Sequence, residues 1–116
     1  MRKKRPIVSI IIPTFNGLHH LQKCLPSICN LPYPSYEIIL VDNNSTDDTV
    51  VYVSQHFPKI KIIRAKENYG YAKGNDVGYR IAKGEYIVFL SNDTRVQSHF
   101  LDQIVEIFDK DSTVGC

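Results

Sequence analysis

"YEIILVDNNSTDDT", residues Tyr36 to Thr49, is apolar at every position from Ile38 to Val41 and then turns at once into acids, amides and hydroxyls. A strand that faces water on one side alternates apolar with polar residues, whereas a continuous apolar run is buried on both faces. Burial on both faces requires helices above and below. The stretch therefore predicts a strand, Tyr36 to Val41, in a parallel sheet covered by helical layers.

Three further runs read the same way: "IVSIII" (Ile7 to Ile12), "IKIIR" (Ile60 to Arg64) and "EYIVFL" (Glu85 to Leu90). Helical spacing fills the gaps between them. Leu18 to Asn30 places Leu18, Leu21, Leu25 and Ile28 on one face, with Pro26 expected to kink or shorten the helix. Asp47 to Phe57 carries Val50, Val51 and Val53 behind the N-cap candidates Ser45 and Thr46. Tyr71 to Lys83 holds Ala72, Val77, Tyr79 and Ile81 and runs to a C-cap candidate, Gly84. His99 to Lys110 repeats Leu101, Ile104, Val105 and Phe108 after Ser98. The order βαβαβαβα gives an α/β fold: a three-layer, open, mainly parallel sheet.

A chain of 116 residues with 43% apolar content makes about one small domain. The net charge of +2 (14 basic against 12 acidic residues) includes four positives from Arg2, Lys3, Lys4 and Arg5. The remainder is slightly acidic, so no basic face for nucleic acid is implied. Residues 1–6 are expected to be a basic, disordered tail, with contact to anionic lipid as the alternative, and residues 7–116 the domain. "IVSIII" is too short for a signal peptide and meets Pro13 without a cleavage site. Cys24, Cys29 and Cys116 are odd in number and lack paired zinc spacing, so buried reduced thiols in a cytoplasm are expected. N-x-S/T matches at Asn43, Asn44 and Asn92 lie at predicted strand ends, which also favours a compartment without N-glycans. "VGC", at the end of "DSTVGC", reads as the first residues of another strand. The expectation is the front part of a longer protein, with an unpaired sheet edge that favours self-association.

In open α/β sheets ligands bind outside the carboxyl ends of the strands. There the four strands deliver "PTFNG" (Pro13 to Gly17), "DNNSTDD" (Asp42 to Asp48), "KENYGYAKGN" (Lys66 to Asn75) and "SNDT" (Ser91 to Thr94). Any one of these is explained by turn and cap chemistry alone. Four polar loops around one crevice go beyond it. Known nucleotide signatures do not fit: "PTFNG" has one glycine where G-x-G-x-x-G is needed, no G-x-x-x-x-G-K-S/T occurs, and a receiver domain would want paired acids where Asn16 and Gly17 stand. His19, His20, His56 and His99 form no metal-binding pattern, and no G-x-S-x-G supports nucleophilic catalysis. Two acids on different loops remain, Asp42 and Asp93. Asp or Asn can accept the N3 proton of a pyrimidine. A carboxylate can also help hold a divalent ion against a diphosphate, and magnesium typically takes only one or two protein carboxylates beside substrate phosphates. Gly70, Gly74 and Gly78 fall four apart. They allow either close helix–sheet packing or a loop beside a ligand.

"VSIIIPTFNG", "EIILVDNNSTDDT" and "ENYGYAKGNDVGYRIAKGEYIVFLSNDT" together resemble the N-terminal, donor-binding half of a family 2 glycosyltransferase of GT-A fold, especially its rhamnosyltransferase-like branch. The likeness runs from Val8 to Cys116. It implies a Rossmann-like nucleotide-binding half that serves transfer of a sugar from a nucleotide-diphosphate sugar to an acceptor hydroxyl, with inversion. By that resemblance Pro13, Thr14 and Phe15 line the base, and Asp42 and Asn43, in a "VDNNS" similar to the family's "VDDGS", recognise base and ribose. Asn68 and Asn75 offer amide contacts and Lys73 charge to the diphosphate. "SNDT" resembles the D-x-D-type motif, with Asp93 bridging Mg2+ or Mn2+ and Ser91 and Asn92 beside it. Ser91 replaces the first acid of that pattern and Asn92 stands at its middle position, so metal should bind appreciably only with the nucleotide present. No catalytic residue is assigned, because the base is expected in a second half. The implied partners are a pyrimidine nucleotide sugar and a glycan or lipid-linked acceptor, at the inner face of a membrane.

Two rivals stay open. A nucleotidyltransferase shares this kind of sheet but usually has a Gly-rich, basic loop after the first strand, which "PTFNG" is not. A non-catalytic nucleotide-sugar-binding module is the other.

Overall fold

The computed structural model describes residues 6–110. The basic run Arg2–Arg5 and the segment from Asp111 to Cys116, where a further strand is expected, lie outside them. Strands and helices alternate: β1 (Val8–Thr14), α1 (Leu18–Ile28), β2 (Tyr36–Asp42), α2 (Thr49–His56), β3 (Lys61–Arg64), α3 (Gly70–Ile81), β4 (Tyr86–Phe89) and α4 (Phe100–Lys110). All strand pairs are parallel, in the order β3-β2-β1-β4.

Local boundaries differ from the sequence expectation in instructive ways. Pro26 is accommodated inside α1, which stops at Ile28, and the Cys29 N–H closes the end on the Leu25 carbonyl at 3.0 Å. In α2 the N-cap residue is Asp48, while Ser45 and Thr46 stay in the preceding loop. α3 ends at Ala82 rather than Gly84, whose N–H instead donates to Ser9 Oγ at 2.8 Å.

The two central strands carry the core. Every residue of β1 is buried, as is β2 from Ile38 onward, and full burial of one such aliphatic side chain contributes about 1.5–3 kcal/mol. One sheet face, with Ile10, Ile12 and Leu40, packs on Leu21, Leu25 and Ile28 of α1, Val53 of α2, and Leu101 and Val105 of α4. The other face, with Ile11, Ile39 and Val41, meets Val77 and Ala82 at α3. Gly78 makes that contact close: a Cβ there would stand 2.5 Å from Ile11 Cγ2 and 3.1 Å from Val41 Cγ2. Of the three spaced glycines, Gly74 and Gly78 serve packing. Gly70, at φ 81, serves the turn into α3.

Edge strands β3 and β4 are only partly covered. On the α3 side Phe89 is 48% exposed and, with Tyr71 and Tyr79, lines an open aromatic groove. No helix among the described residues is long and apolar enough to cross a membrane.

A polar knot ties the opposite, amino end of the sheet. Glu37 Oε2 accepts the Ser9 hydroxyl (2.6 Å) and the Lys83 N–H (2.7 Å), while Oε1 takes the Lys61 ammonium at 2.9 Å. Burial alone would raise the Glu37 carboxyl, but these hydrogen bonds and the Lys61 charge outweigh it and hold its pKa below the ordinary 4.5. The sign follows: a depressed folded pKa adds stability above the unfolded value and loses it as pH falls through the folded one. Glu37→Gln should therefore lower the thermal midpoint at pH 7, by an amount equivalent to about 1–2 kcal/mol of lost hydrogen bonding. The gap from wild type should narrow below about pH 4.5 in a pH series of melting curves.

Candidate functional site

With all strands parallel, the loops that follow them gather at one edge of the sheet. β1 leads to β2 on one side, and β4 arrives on the other. Above the β1–β4 gap successive connections diverge, and a crevice opens at such a switch point.

Asn16 joins the first loop to the second. Its φ of 48° is left-handed, a conformation that Asn tolerates better than most residues. From there Oδ1 accepts the N–H groups of Thr46 (2.7 Å) and Asp47 (3.2 Å), and the Asn16 N–H donates to Ser45 Oγ at 2.9 Å. Ser45 in turn donates its hydroxyl to Asp42 Oδ1 (2.5 Å) and its N–H to Oδ2 (3.1 Å). Asp42 lies directly opposite Thr14 in register and is wholly buried beneath this turn. Asp47, one residue before the N-cap Asp48, accepts the Thr49 hydroxyl and the Thr49 N–H. Burial pushes its carboxyl up, but those bonds and one from the Leu18 N–H outweigh it and hold it below the usual range.

Asn43 joins the second loop to the third. It is buried, with its backbone N–H on the Thr14 carbonyl at 2.8 Å, while its side chain accepts the Tyr69 N–H and donates to the Gly70 carbonyl, both at 3.3 Å. Asn68 accepts the Gly70 N–H at 2.9 Å, and the exposed Lys73 ammonium sits 4.4 Å from the Tyr69 ring centre. Asn75 is buried on α3, and its Oδ1 has no hydrogen-bond partner among the described residues.

The first and fourth loops meet across the switch point itself. Asn92 Nδ2 donates to Thr14 Oγ1 at 2.9 Å. One residue on, Asp93 is exposed, and its Oδ1 accepts the Ser91 hydroxyl at 2.8 Å. Pro13 is buried below, and Phe15 is 46% exposed at the rim. Beneath the fourth loop lies Cys24, free and buried. Burial above all, with the nearby Cys29 and Asp93, pushes its thiol up to about 11, against an opposing hydrogen bond from the Thr94 backbone. Cys29, half-buried, is raised to about 11 by burial.

The expected site residues therefore fall into two groups. Phe15, Asn68, Lys73, Ser91 and Asp93 are exposed around the crevice, whereas Pro13, Thr14, Asp42, Asn43 and Asn75 are buried, and Asn92 is half-buried against Thr14. Sequence reasoning missed Asn16 and Ser45, whose hydrogen bonds knit the loops together, and Gly17, which leaves room for Asn92 beside Thr14. The only signal was the Asn16-Gly17 pair, a turn dipeptide. A separate cavity of about 460 Å³ opens at the amino ends of the strands, lined by Cys29, Tyr36, Phe57 and Ile60 among others. The crevice at the carboxyl ends holds the convergent polar groups and is the candidate site.

Among the described residues no three His, Cys, Asp or Glu side chains are grouped to hold a metal. One exposed carboxylate does fit a divalent ion that takes its other ligands from water and phosphate oxygens.

The all-parallel sheet with four cross-linked polar loops at its carboxyl edge, and an exposed acid on the fourth, matches the GT-A glycosyltransferase fold. The chain belongs to glycosyl transferase family 2, whose model matches residues 9–116. It is 29% identical to chondroitin synthase of Escherichia coli over 117 residues, covering 98% of this chain and 17% of that protein. TarS of S. aureus, solved in complex with UDP, superposes with a TM-score of 0.82 at 27% identity, covering 89% of this chain and 32% of that one. The mannosyltransferase PcManGT from Pyrobaculum calidifontis, solved with GDP-Man and Mn2+, gives a TM-score of 0.85 at 29% identity, covering 97% and 34%. The chain thus spans about a third or less of these relatives.

Because Asn16 holds two loops at once, Asn16→Ala should destabilise the chain by about 1–3 kcal/mol in urea unfolding, while Asn16→Asp, which keeps the acceptor, should lose clearly less.

Proposed function

We propose that this chain is the donor-binding half of an inverting glycosyltransferase that moves a sugar from a nucleotide-diphosphate sugar to an acceptor hydroxyl. The observation that carries this is the Asn92–Thr14 hydrogen bond, which sets the exposed Asp93 carboxylate on the rim of the switch-point crevice beside the first loop.

Division of labour follows from exposure. Phe15 offers an aromatic face to the base, a pyrimidine in this reading, with Pro13 and Thr14 as its floor. Asp42 and Asn43 hold the second loop in shape and present its backbone to base and ribose. Asn68 and Lys73 approach the diphosphate, with Asn75 bracing the helix behind them, and Ser91 and Asn92 orient the carboxylate between them. Asp93 would hold Mg2+ or Mn2+. A divalent ion bound there offsets the charge that develops on the departing diphosphate. The acceptor proton goes to a base outside the described residues, so the chain alone is proposed to bind donor without transferring it. UDP, UDP-GlcNAc and GDP-Man in the solved neighbours support a nucleotide sugar as donor. A glycan or lipid-linked acceptor, reached from the cytoplasmic side of a membrane, completes the reading.

Calorimetric titration with UDP-, dTDP- and GDP-sugars, with and without Mn2+, tests it. One nucleotide should bind with a clear metal-dependent gain, Asp93→Ala should abolish that gain, and Asp76→Asn, which alters an exposed carboxylate paired with Arg80, should leave it. Tight Mn2+ binding without nucleotide, or equal effects of the two substitutions, would contradict the proposal.

A further inference from the structure

The segment after β4 has no regular secondary structure, yet alternate residues of it are tied down. Leu90 N–H donates to the Ile11 carbonyl (2.9 Å), Asn92 Nδ2 to Thr14 Oγ1 (2.9 Å), and Val96 N–H to Ser27 Oγ (3.3 Å). The Thr94 backbone lies close enough to the Cys24 thiol to oppose the rise of its pKa. Residues 90, 92, 94 and 96 thus face β1, its loop and α1, while Ser91, Asp93 and Arg95 between them are exposed. Within this segment the Thr94 N–H donates to the Ser91 carbonyl at 3.1 Å, so residues 91–94 close a turn that holds Asn92 against Thr14 and leaves Asp93 exposed.

Two residues of that surface are built for the purpose. Gly17 is buried at the start of α1, and its φ of −103° is open to any residue, so space is what its identity secures. A Cβ there would collide with both Thr14 Oγ1 and Asn92 Nδ2 and evict the amide from its partner. Ser27 donates its hydroxyl to the Cys24 carbonyl at 2.7 Å, which turns its oxygen lone pairs to the Val96 N–H.

We propose that Gly17 and Ser27 are positioning residues for Asp93: the β1–α1 unit carries residues 90–96 through these alternate contacts, and these two residues fix where the exposed carboxylate stands. The idea rests on the donor-site reading above, since what Asp93 is positioned for is a divalent ion shared with a nucleotide diphosphate.

The test measures UDP and GDP affinity of the 116-residue chain with and without Mn2+, together with amide hydrogen exchange of the ligand-free protein. Ser27→Ala should cut the metal-dependent gain in affinity about fivefold, the worth of one hydrogen bond of about 1 kcal/mol. It should also speed exchange at Val96, with metal-free affinity held within about twofold. Ser27→Thr, which keeps the hydroxyl, should restore both. Gly17→Ala should cut the gain further; should it fail to fold, the Ser27 pair decides alone. A wild-type gain that survives Ser27→Ala intact would overturn the positioning role and leave the donor site standing. Metal-dependent and metal-free affinities that fall together with the melting temperature would reduce Ser27 to a structural residue and overturn it equally. No metal-dependent gain in wild type, with either nucleotide, would remove the donor-site reading and this inference with it.

Discussion

Parallel register fixes everything that matters in this molecule. Thr14 lies opposite Asp42, and Ile11 opposite Phe89, so that three strands end within reach of one hydroxyl and one carbonyl, both belonging to Thr14. The carbonyl receives the Asn43 N–H, and the hydroxyl receives the Asn92 amide. A slip of one residue in the β1–β2 pairing would turn alternate side chains to the opposite face and lose the first contact, and a slip in the β1–β4 pairing would lose the second. The aliphatic burial of β1 and β2 excludes such slips, and in this way the hydrophobic core places the polar edge.

That edge is a network more than a set of separate ligand contacts. Asn16, Ser45, Asp42 and Asn43 satisfy one another or the backbone, and buried polar groups must be paired in this way to be tolerated. Their cost in sequence is a run of amides and hydroxyls that resembles a ligand-binding surface. Much of it holds the loops to one another. The residues left over, Phe15, Asn68, Lys73, Ser91 and Asp93, are the smaller exposed set on which the donor reading depends. Preorganisation of this kind matters for a site that stabilises developing charge, because the dipoles are in place before the charge appears.

The strands and their parallel sense were legible because β1 and β2 are apolar without interruption, and that pattern has one physical solution. β3 and β4 look equally apolar in sequence, yet they stand half-exposed at the sheet edges. Hydropathy reports that a residue prefers burial, not whether a neighbour is there to supply it. That four polar loops gather at one edge of the sheet was readable, and so was the presence of an acid on the fourth of them. Asp42 was not, since a carboxylate that caps a turn and one that faces a ligand have the same letter, and only the position of Ser45 separates them. Gly17 was given no role of its own in the sequence. Its role appears only when Asn92, distant in the chain, is seen to fill the space beside it.

The central claim is that the crevice between β1 and β4 receives one ligand, with Asp93 against its metal. Manganese broadens the amide resonances nearest to it, so the map of broadening on adding Mn2+ to the UDP- or GDP-bound chain locates the ion directly. Broadening centred on Ser91 to Thr94 and fading through Thr14 to Gly17 is the predicted result. Broadening centred instead on Cys29 to Glu37, at the amino ends of the strands, would contradict the account.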